Sequence, residues 1–285
     1  MNSLKLAVQK KGRLTDQSLA LLNAAGIRLE NGTGKLMARA TNFPLELLFL
    51  RDDDIPSTIA RGMAHTGILG RNELLEQNEP VAERLPLGFA KCRLMLAVQR
   101  EEDCTDLSWF AGKRIATSYP EVTAKFFAEN GIEASVEPIS GSVEIAPGMG
   151  LADAVCDLVS TGSTLLANGL KPVFEVLNSE AVLVTPEDLA PEPTAVLDEL
   201  LFRIEAVQRA RRTKYILLNA PNNAIPAIQH VLPGMRSPTV LPLAEPGWSS
   251  LHAAVPEDDF WNIIGQLKDL GAEGILVSAV EKVIA

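Results

Sequence analysis

The chain has 285 residues, 47% of them hydrophobic and 22% charged, with a formal net charge of −10. That length suits two or three domains rather than one small core, and the acidic balance argues against a nucleic-acid-binding surface. No stretch reaches transmembrane length, the opening MNSLKLAVQKKGR holds too short an apolar run for a signal peptide, and three cysteines (Cys92, Cys104, Cys156) without metal-ligand spacing fit a reducing cytoplasm.

Leu4 to Val8 reads as a first strand, followed by the cationic loop Gln9-Lys10-Lys11-Gly12-Arg13 and a helix from Thr15. A strand, a basic glycine loop and a helix form a candidate anion site, although a solvated basic turn has the same composition. Glu46 to Leu50 is the next strand. It ends at Arg51, at the carboxyl end of a strand, where open α/β sheets place their ligands. Asp52-Asp53-Asp54 then leads into Pro56, which reads as a helix start capped by Asp54. Further strands are predicted at Thr66–Leu69, Leu94–Val98, Arg114–Ala116 and Glu133–Pro138, with helices through Leu75 and over Glu121–Glu129.

The most informative stretch is Ser140 to Leu170, which reads as helix, strand, tight loop, helix. Ala154 to Val159 is the strand, Ser160-Thr161-Gly162-Ser163 the turn, and Thr164 starts a short helix closed by Gly169. Free backbone N–H groups, a glycine and three hydroxyls (Thr161, Ser163, Thr164) suit a phosphate. Asp153 and Asp157 upstream suit sugar hydroxyls or a magnesium ion held through water, because a carboxylate inside a strand is expensive unless used. The parts together suggest a sugar phosphate; an ordinary capped loop is the plainer alternative.

Beyond it, strands are predicted at Pro172–Leu177 and Ala181–Val184, a Pro- and acid-rich linker at Thr185–Pro193, and a long helix over Thr194–Lys214. From Tyr215 the order strand, helix, strand, strand, helix, strand is the ferredoxin-like βαββαβ plan. The predicted fold is therefore α/β. It comprises a two-lobed, periplasmic-binding-protein-like core and a C-terminal ferredoxin-like domain. Residues 1–90 and 179–213 form lobe I, residues 91–178 lobe II, and residues 214–285 the last domain.

GSVEIAPGMGLADAVCDLVSTGSTLLANGL resembles the signature region of the ATP phosphoribosyltransferase family, which carries out the first step of histidine biosynthesis. LAVQKKGRL, LFLRDDDIP, GILGRN, KRIATSYPEVTAKFF, YILLNAP, SPTVLPLAEPGW and LGAEGILVSAVEK resemble further segments of the family's long form, in order. The resemblance implies transfer of the phosphoribosyl group of phosphoribosyl pyrophosphate to N1 of ATP, with Mg2+ arriving on the substrates. It implies phosphoribosyl pyrophosphate binding by Asp153, Ala154, Asp157, Ser160, Thr161, Gly162, Ser163 and Thr164. Lys10, Gly12 and Arg13 would face ATP or pyrophosphate, and Arg51 would act in catalysis on the leaving group. It further implies a cytoplasmic homo-oligomer, dimer to hexamer, inhibited by L-histidine bound near Asn219, Thr239 and Gly274. Two positions depart from the family: His65 stands where Asp is common, and Arg71 where acidic residues or Lys are common. The competing expectation is a binding module or an inactive cytosolic sensor on the same two-lobed fold.

Overall fold

The structure is a computed structural model and describes residues 3–30, 36–160, 162–232 and 234–284. Its elements run β1 (Leu4–Gln9), α1 (Arg13–Ala24), β2 (Met37–Arg39), β3 (Leu45–Leu50), α2 (Ile55–Ala60), β4 (Thr66–Gly70), α3 (Arg71–Gln77), β5 (Val81–Pro86), β6 (Cys92–Gln99), β7 (Arg114–Thr117), α4 (Pro120–Glu129) and β8 (Ser135–Pro138). They continue with β9 (Ala154–Val159), α5 (Ser163–Ala167), β10 (Leu170–Ser179), β11 (Ala181–Pro186), α6 (Pro191–Arg211), β12 (Thr213–Pro221), α7 (Ile225–Val231), β13 (Thr239–Pro242), β14 (Trp248–Pro256), α8 (Glu257–Asp269) and β15 (Glu273–Ala279).

The chain divides into two compact units, Met1–Ala20 with Ile27–Leu197, and Leu21–Gly26 with Asp198–Ala285. The first unit holds two sheets. One is six-stranded, in the order β2-β3-β1-β4-β11-β5, with β3, β1 and β4 mutually parallel. The parallel strands are mostly apolar, interrupted by Lys5 in β1 and Glu46 in β3, as suits a sheet covered over most of both faces; Leu4, Leu6, Ala7 and Val8 of β1 are fully buried. Helix α2 lies so close to β4 that a Cβ on Gly67 would come within 2.7 Å of both Ile55 and Ile59. Only glycine fits that approach.

The other sheet of this unit is five-stranded, β10-β6-β9-β7-β8, with β7, β8 and β9 parallel. One face packs Phe110, Phe127, Ile115 and Cys156. The opposite face packs Met95, Val155, Val159 and Leu165. The chain crosses between the sheets twice, after β5 and after β10. The crossings hydrogen-bond each other, Leu87 N to Ala181 O and Ala181 N to Phe89 O, both at 2.9 Å. The carboxyl ends of the parallel strands in each sheet carry the candidate loops, which is where open α/β sheets bind ligands.

In the second unit β12, α7, β13, β14, α8 and β15 build a four-stranded antiparallel sheet in the order β13-β14-β12-β15. This is the ferredoxin-like arrangement. Ile216, Leu218, Leu251, Ala253, Leu267 and Ile228 fill the space between the sheet and its helices.

Several local expectations need correction. Asp54 makes no side-chain cap; its carbonyl oxygen instead accepts from Thr58 Oγ1 at 2.7 Å. The helix expected just after Ser140 is a single 3-10 turn, Val143–Ile145, in a segment with Pro147 and three glycines. The long helix ends at Arg211 rather than Lys214, because Lys214 already pairs with Val255 and Ala279 in the sheet. Strands β2 and β5, short and largely exposed, were not anticipated.

Candidate active site

Strand β9 delivers the chain into the Ser160–Thr164 turn. Gly162 sits there at φ +80°, in the left-handed region that a side chain resists. Ser163 then opens α5, whose first closing bond runs from Leu166 N to Gly162 O at 3.1 Å. Leu165, 2% exposed, pins the short helix into the core, while Ser160, Ser163 and Thr164 stay near or at the surface. Asn168 Nδ2 donates to Thr164 O at 3.0 Å, and Arg100 Nη2 to Leu166 O at 2.8 Å, which satisfies the end of the helix. Thr161 lies outside the described residues.

The two upstream acids part company. Asp157 shares a face of β9 with Val155 and Val159 and pairs with Met95. Its Oδ1 accepts from Leu158 N at 2.7 Å. Burial holds its pKa above the ordinary carboxylate value against that hydrogen bond, and the charge of Glu144 adds to the shift. Asp153 lies before the start of β9, about 20 Å of extended chain from the turn. Its Oδ2 accepts from Arg114 N at 2.8 Å and its Oδ1 from Arg114 Nη2 at 3.5 Å. The Arg114 backbone hydrogen bond is the main reason its pKa is lowered. Asp153 therefore ties β9 to β7, and the neighbouring Ala154 is fully buried in the core on the face opposite Asp157. Neither is brought to the turn.

Lys10, Gly12, Arg13 and Arg51 do come together, on the other sheet of the same unit. β1 and β3 are parallel neighbours ending at Gln9 and Leu50, and Lys10 N donates to Leu50 O at 2.7 Å. The three cations are exposed. Arg51 Nη2 lies 3.2 Å from Asp53 Oδ2 with its side chain 78% exposed, so the pair is loose and the guanidinium remains open to a ligand. Gln9 Nε2 donates to Asp52 Oδ2 at 3.1 Å and joins the two loops.

Between the sheets sits a group that the sequence did not single out. Asn72 N donates to Ser179 Oγ at 3.1 Å, and Asn72 Nδ2 donates to Tyr119 Oη at 3.2 Å. Glu73 is largely buried, with its pKa pushed up to about 7, first by burial and then by the charge of Asp52; Asp53 raises it further, while hydrogen bonds from Tyr119 and Gln77 oppose the shift. Burial and the nearby Glu73 also raise the pKa of Tyr119. The Glu76 carboxylate accepts from Glu121 N and Val122 N, both at 3.0 Å, and so caps α4 from α3. Glu144 was within reach of sequence reasoning, since it lies in the SVEIAP segment. Glu73 reads in sequence as an ordinary helix glutamate.

The two departures from the family pattern have distinct placements. His65 Nδ1 accepts from Lys5 N at 3.0 Å, at the amino end of β4 and away from the candidate loops. Arg71 makes a two-pronged bond to Glu83, 2.8 Å from both Nε and Nη2, and lies 3.7 Å from Glu180, so it braces the crossing strands.

The sequence profile described as ATP phosphoribosyltransferase matches residues 51–206, and the profile described as HisG, C-terminal domain, matches residues 210–282. The ATP phosphoribosyltransferase of Cytophaga hutchinsonii is 53% identical over 281 residues, covering 99% of this chain and 98% of that protein. The chain belongs to the ATP phosphoribosyltransferase family. A solved structure entitled ATP phosphoribosyl transferase (HisG:HisZ) complex from Thermotoga maritima is 28% identical with a TM-score of 0.60, covering 71% of this chain and 98% of that one. XAC2383 from Xanthomonas citri, bound to chloride ion, shares the fold at 15% identity and a TM-score of 0.50, over 74% of this chain and 84% of that one. The match over residues 51–206 takes in both the loop at Arg51 and the turn after β9.

In the C-terminal sheet Asn219 and Gly274 are adjacent, and a Cβ on Gly274 (φ +56°) would lie 3.5 Å from Asn219 Nδ2. Thr239 pairs with His252, which stands opposite Leu217, so Thr239 lies two residues along and two strands across from Asn219 on the same open face. Beside it Tyr215 Oη, His252 and Ser250 form a hydrogen-bonded chain at 2.9 and 3.2 Å.

Proposed function

We propose that this chain transfers the phosphoribosyl group of phosphoribosyl pyrophosphate to N1 of ATP, releasing pyrophosphate, as a pentosyltransferase at the first step of histidine biosynthesis. The observation that carries this reading is 53% identity over nearly the whole chain to an enzyme named for that activity. The geometry supports it: a hydroxyl-bearing turn follows a strand of one sheet, and a cationic loop pair ends two strands of the other.

In this reading Ser160, Thr161, Gly162, Ser163 and Thr164 hold the 5′-phosphate. Asp157, joined by Glu144, meets the ribose hydroxyls. Lys10, Arg13 and Arg51 face pyrophosphate or the ATP phosphates. Adenine N1 has its own lone pair, so displacement at the anomeric carbon needs no general base. The protein holds two polyanions in line and balances the charge that develops on the leaving group. Among the described residues no cluster of three or more His, Cys, Asp or Glu is placed to hold a metal. Magnesium arrives on the substrate phosphates in this reading. L-Histidine binding near Asn219, Thr239 and Gly274, a homo-oligomer and a cytoplasmic location complete the proposal. Three free thiols support the last, and no helix among the described residues is long and apolar enough to cross a membrane.

The test is formation of phosphoribosyl-ATP from ATP, phosphoribosyl pyrophosphate and magnesium, with and without L-histidine. Product that falls with histidine supports both parts. Product insensitive to histidine removes the regulatory part. No product while histidine still binds favours an inactive sensor.

A further inference from the structure

The phosphate turn lacks its own counter-charge. From Val159 to Leu170 there is no lysine or arginine. A phosphate monoester is close to a dianion, and hydroxyls and amides in a partly closed site leave that charge poorly balanced. The cations at the ends of β1 and β3 belong to the other sheet of the unit.

A cavity of about 400 Å³ adjoins the turn, sharing Ser160 with it and Val159 with the end of β9. Three cations line it: Arg71, Lys91 and Arg93. Arg71 is already committed to Glu83 and Glu180. Arg93 stands directly opposite Val159 in the β6–β9 ladder, so its side chain leaves the sheet on the face that carries Leu165 of α5. Its ion pair is with Glu175 at 3.8 Å, between side chains 51% and 38% exposed, which a phosphate would readily displace. Lys91 lies two residues earlier, is exposed, and has no ion pair within 4.0 Å among the described residues. We propose that Lys91 and Arg93 are the charge partners of the phosphate monoester held by the Ser160–Thr164 turn. They reach it from the crossing strand rather than from the turn itself. This rests on the reading of that turn as the 5′-phosphate site.

The experiment is calorimetric titration of the full chain with ribose 5-phosphate, and separately with ATP, for the wild type and for Lys91→Ala, Arg93→Ala, Arg93→Lys and Thr164→Val. Charge-assisted hydrogen bonds are the strong ones, so Lys91→Ala and Arg93→Ala each weaken ribose 5-phosphate by about tenfold or more, with partial recovery in Arg93→Lys. ATP affinity stays within about twofold of the wild type. Wild-type ribose 5-phosphate affinity in alanine variants that melt normally overturns the proposal. So does weakening confined to ATP, which would assign the two cations to the nucleotide. If Thr164→Val alone weakens ribose 5-phosphate, the turn stands and this inference fails. If the cation variants weaken it and Thr164→Val does not, the cavity is the phosphate site and the turn reading fails. Lys91 is exposed, so Lys91→Ala carries the test even if Arg93→Ala does not fold.

Discussion

Glu73 is the side chain at which burial and charge are most at odds. Its pKa of about 7 lies above the ordinary value of 4.5, because the ionised form is desolvated and faces Asp52 and Asp53. In the unfolded chain the carboxyl ionises near its ordinary value. Between that value and about 7 the folded state therefore holds a proton that the unfolded state has lost, and stability falls as pH rises through this window. Glu73→Gln removes that slope. Its stability should match the wild type near pH 5 and exceed it near pH 8 by on the order of 2–3 kcal/mol. Denaturant unfolding of both proteins across that range checks this; parallel curves would show that Glu73 does not titrate there. Because the Arg51 guanidinium is exposed and only loosely paired, Arg51→Ala should lower kcat more than it raises KM for either substrate, by about tenfold to a hundredfold in kcat. Equal losses would make it a ground-state binding group. The residue types of the site were readable in the sequence, but their direction along a strand was harder to read. Asp153 and Asp157 look like a pair, yet three residues of β9 separate an acid tied to Arg114 from one beside Glu144.

Strand β9, the turn and α5 were legible because each has a local cause: a β-branched run, a glycine at positive φ and an anchoring leucine. The alternation of strands and helices in both sheets was legible for the same reason. Elements without a strong local signal were not. Strand β5 (VAERLP, exposed at Ala82, Glu83 and Arg84) is a strand because it pairs with β11, a partner about a hundred residues away. The contact between α3 and α4 is similar. Glu76 satisfies the first amide groups of α4 across the gap between two sheets, and nothing in either helix alone announces it. The turn carries a sharp prediction of its own. A Cβ on Gly162 has room, with Val159 Cγ1 at 3.7 Å, so the penalty of Gly162→Ala is conformational rather than steric. It should destabilise the protein by about 1–2 kcal/mol, or else shift the turn, and should weaken ribose 5-phosphate several-fold. Melting and titration of the same variant separate the two; an unchanged melt with unchanged binding would mean that the turn does not need its left-handed residue.

At the scale of the whole molecule, the proposed histidine response is a statement about linkage and needs no contact between the two units to be tested. If histidine lowers the affinity for phosphoribosyl pyrophosphate by some factor, the substrate must lower the affinity for histidine by the same factor. A coupling of the usual size, about 1–3 kcal/mol, corresponds to roughly 5- to 150-fold. Histidine titrated calorimetrically into the full chain should therefore bind more weakly when phosphoribosyl pyrophosphate is saturating. Asn219→Ala should weaken histidine in both titrations while the ratio between them persists, because Asn219 lies beside Gly274 and would contact the effector rather than carry the coupling. Two findings would count against this. Histidine affinity indifferent to the substrate would leave inhibition, if seen, to act on turnover alone. A ratio that collapses in Asn219→Ala would make the Asn219–Gly274 contact part of the two-state element itself, so that the open face of the four-stranded sheet both binds the effector and switches.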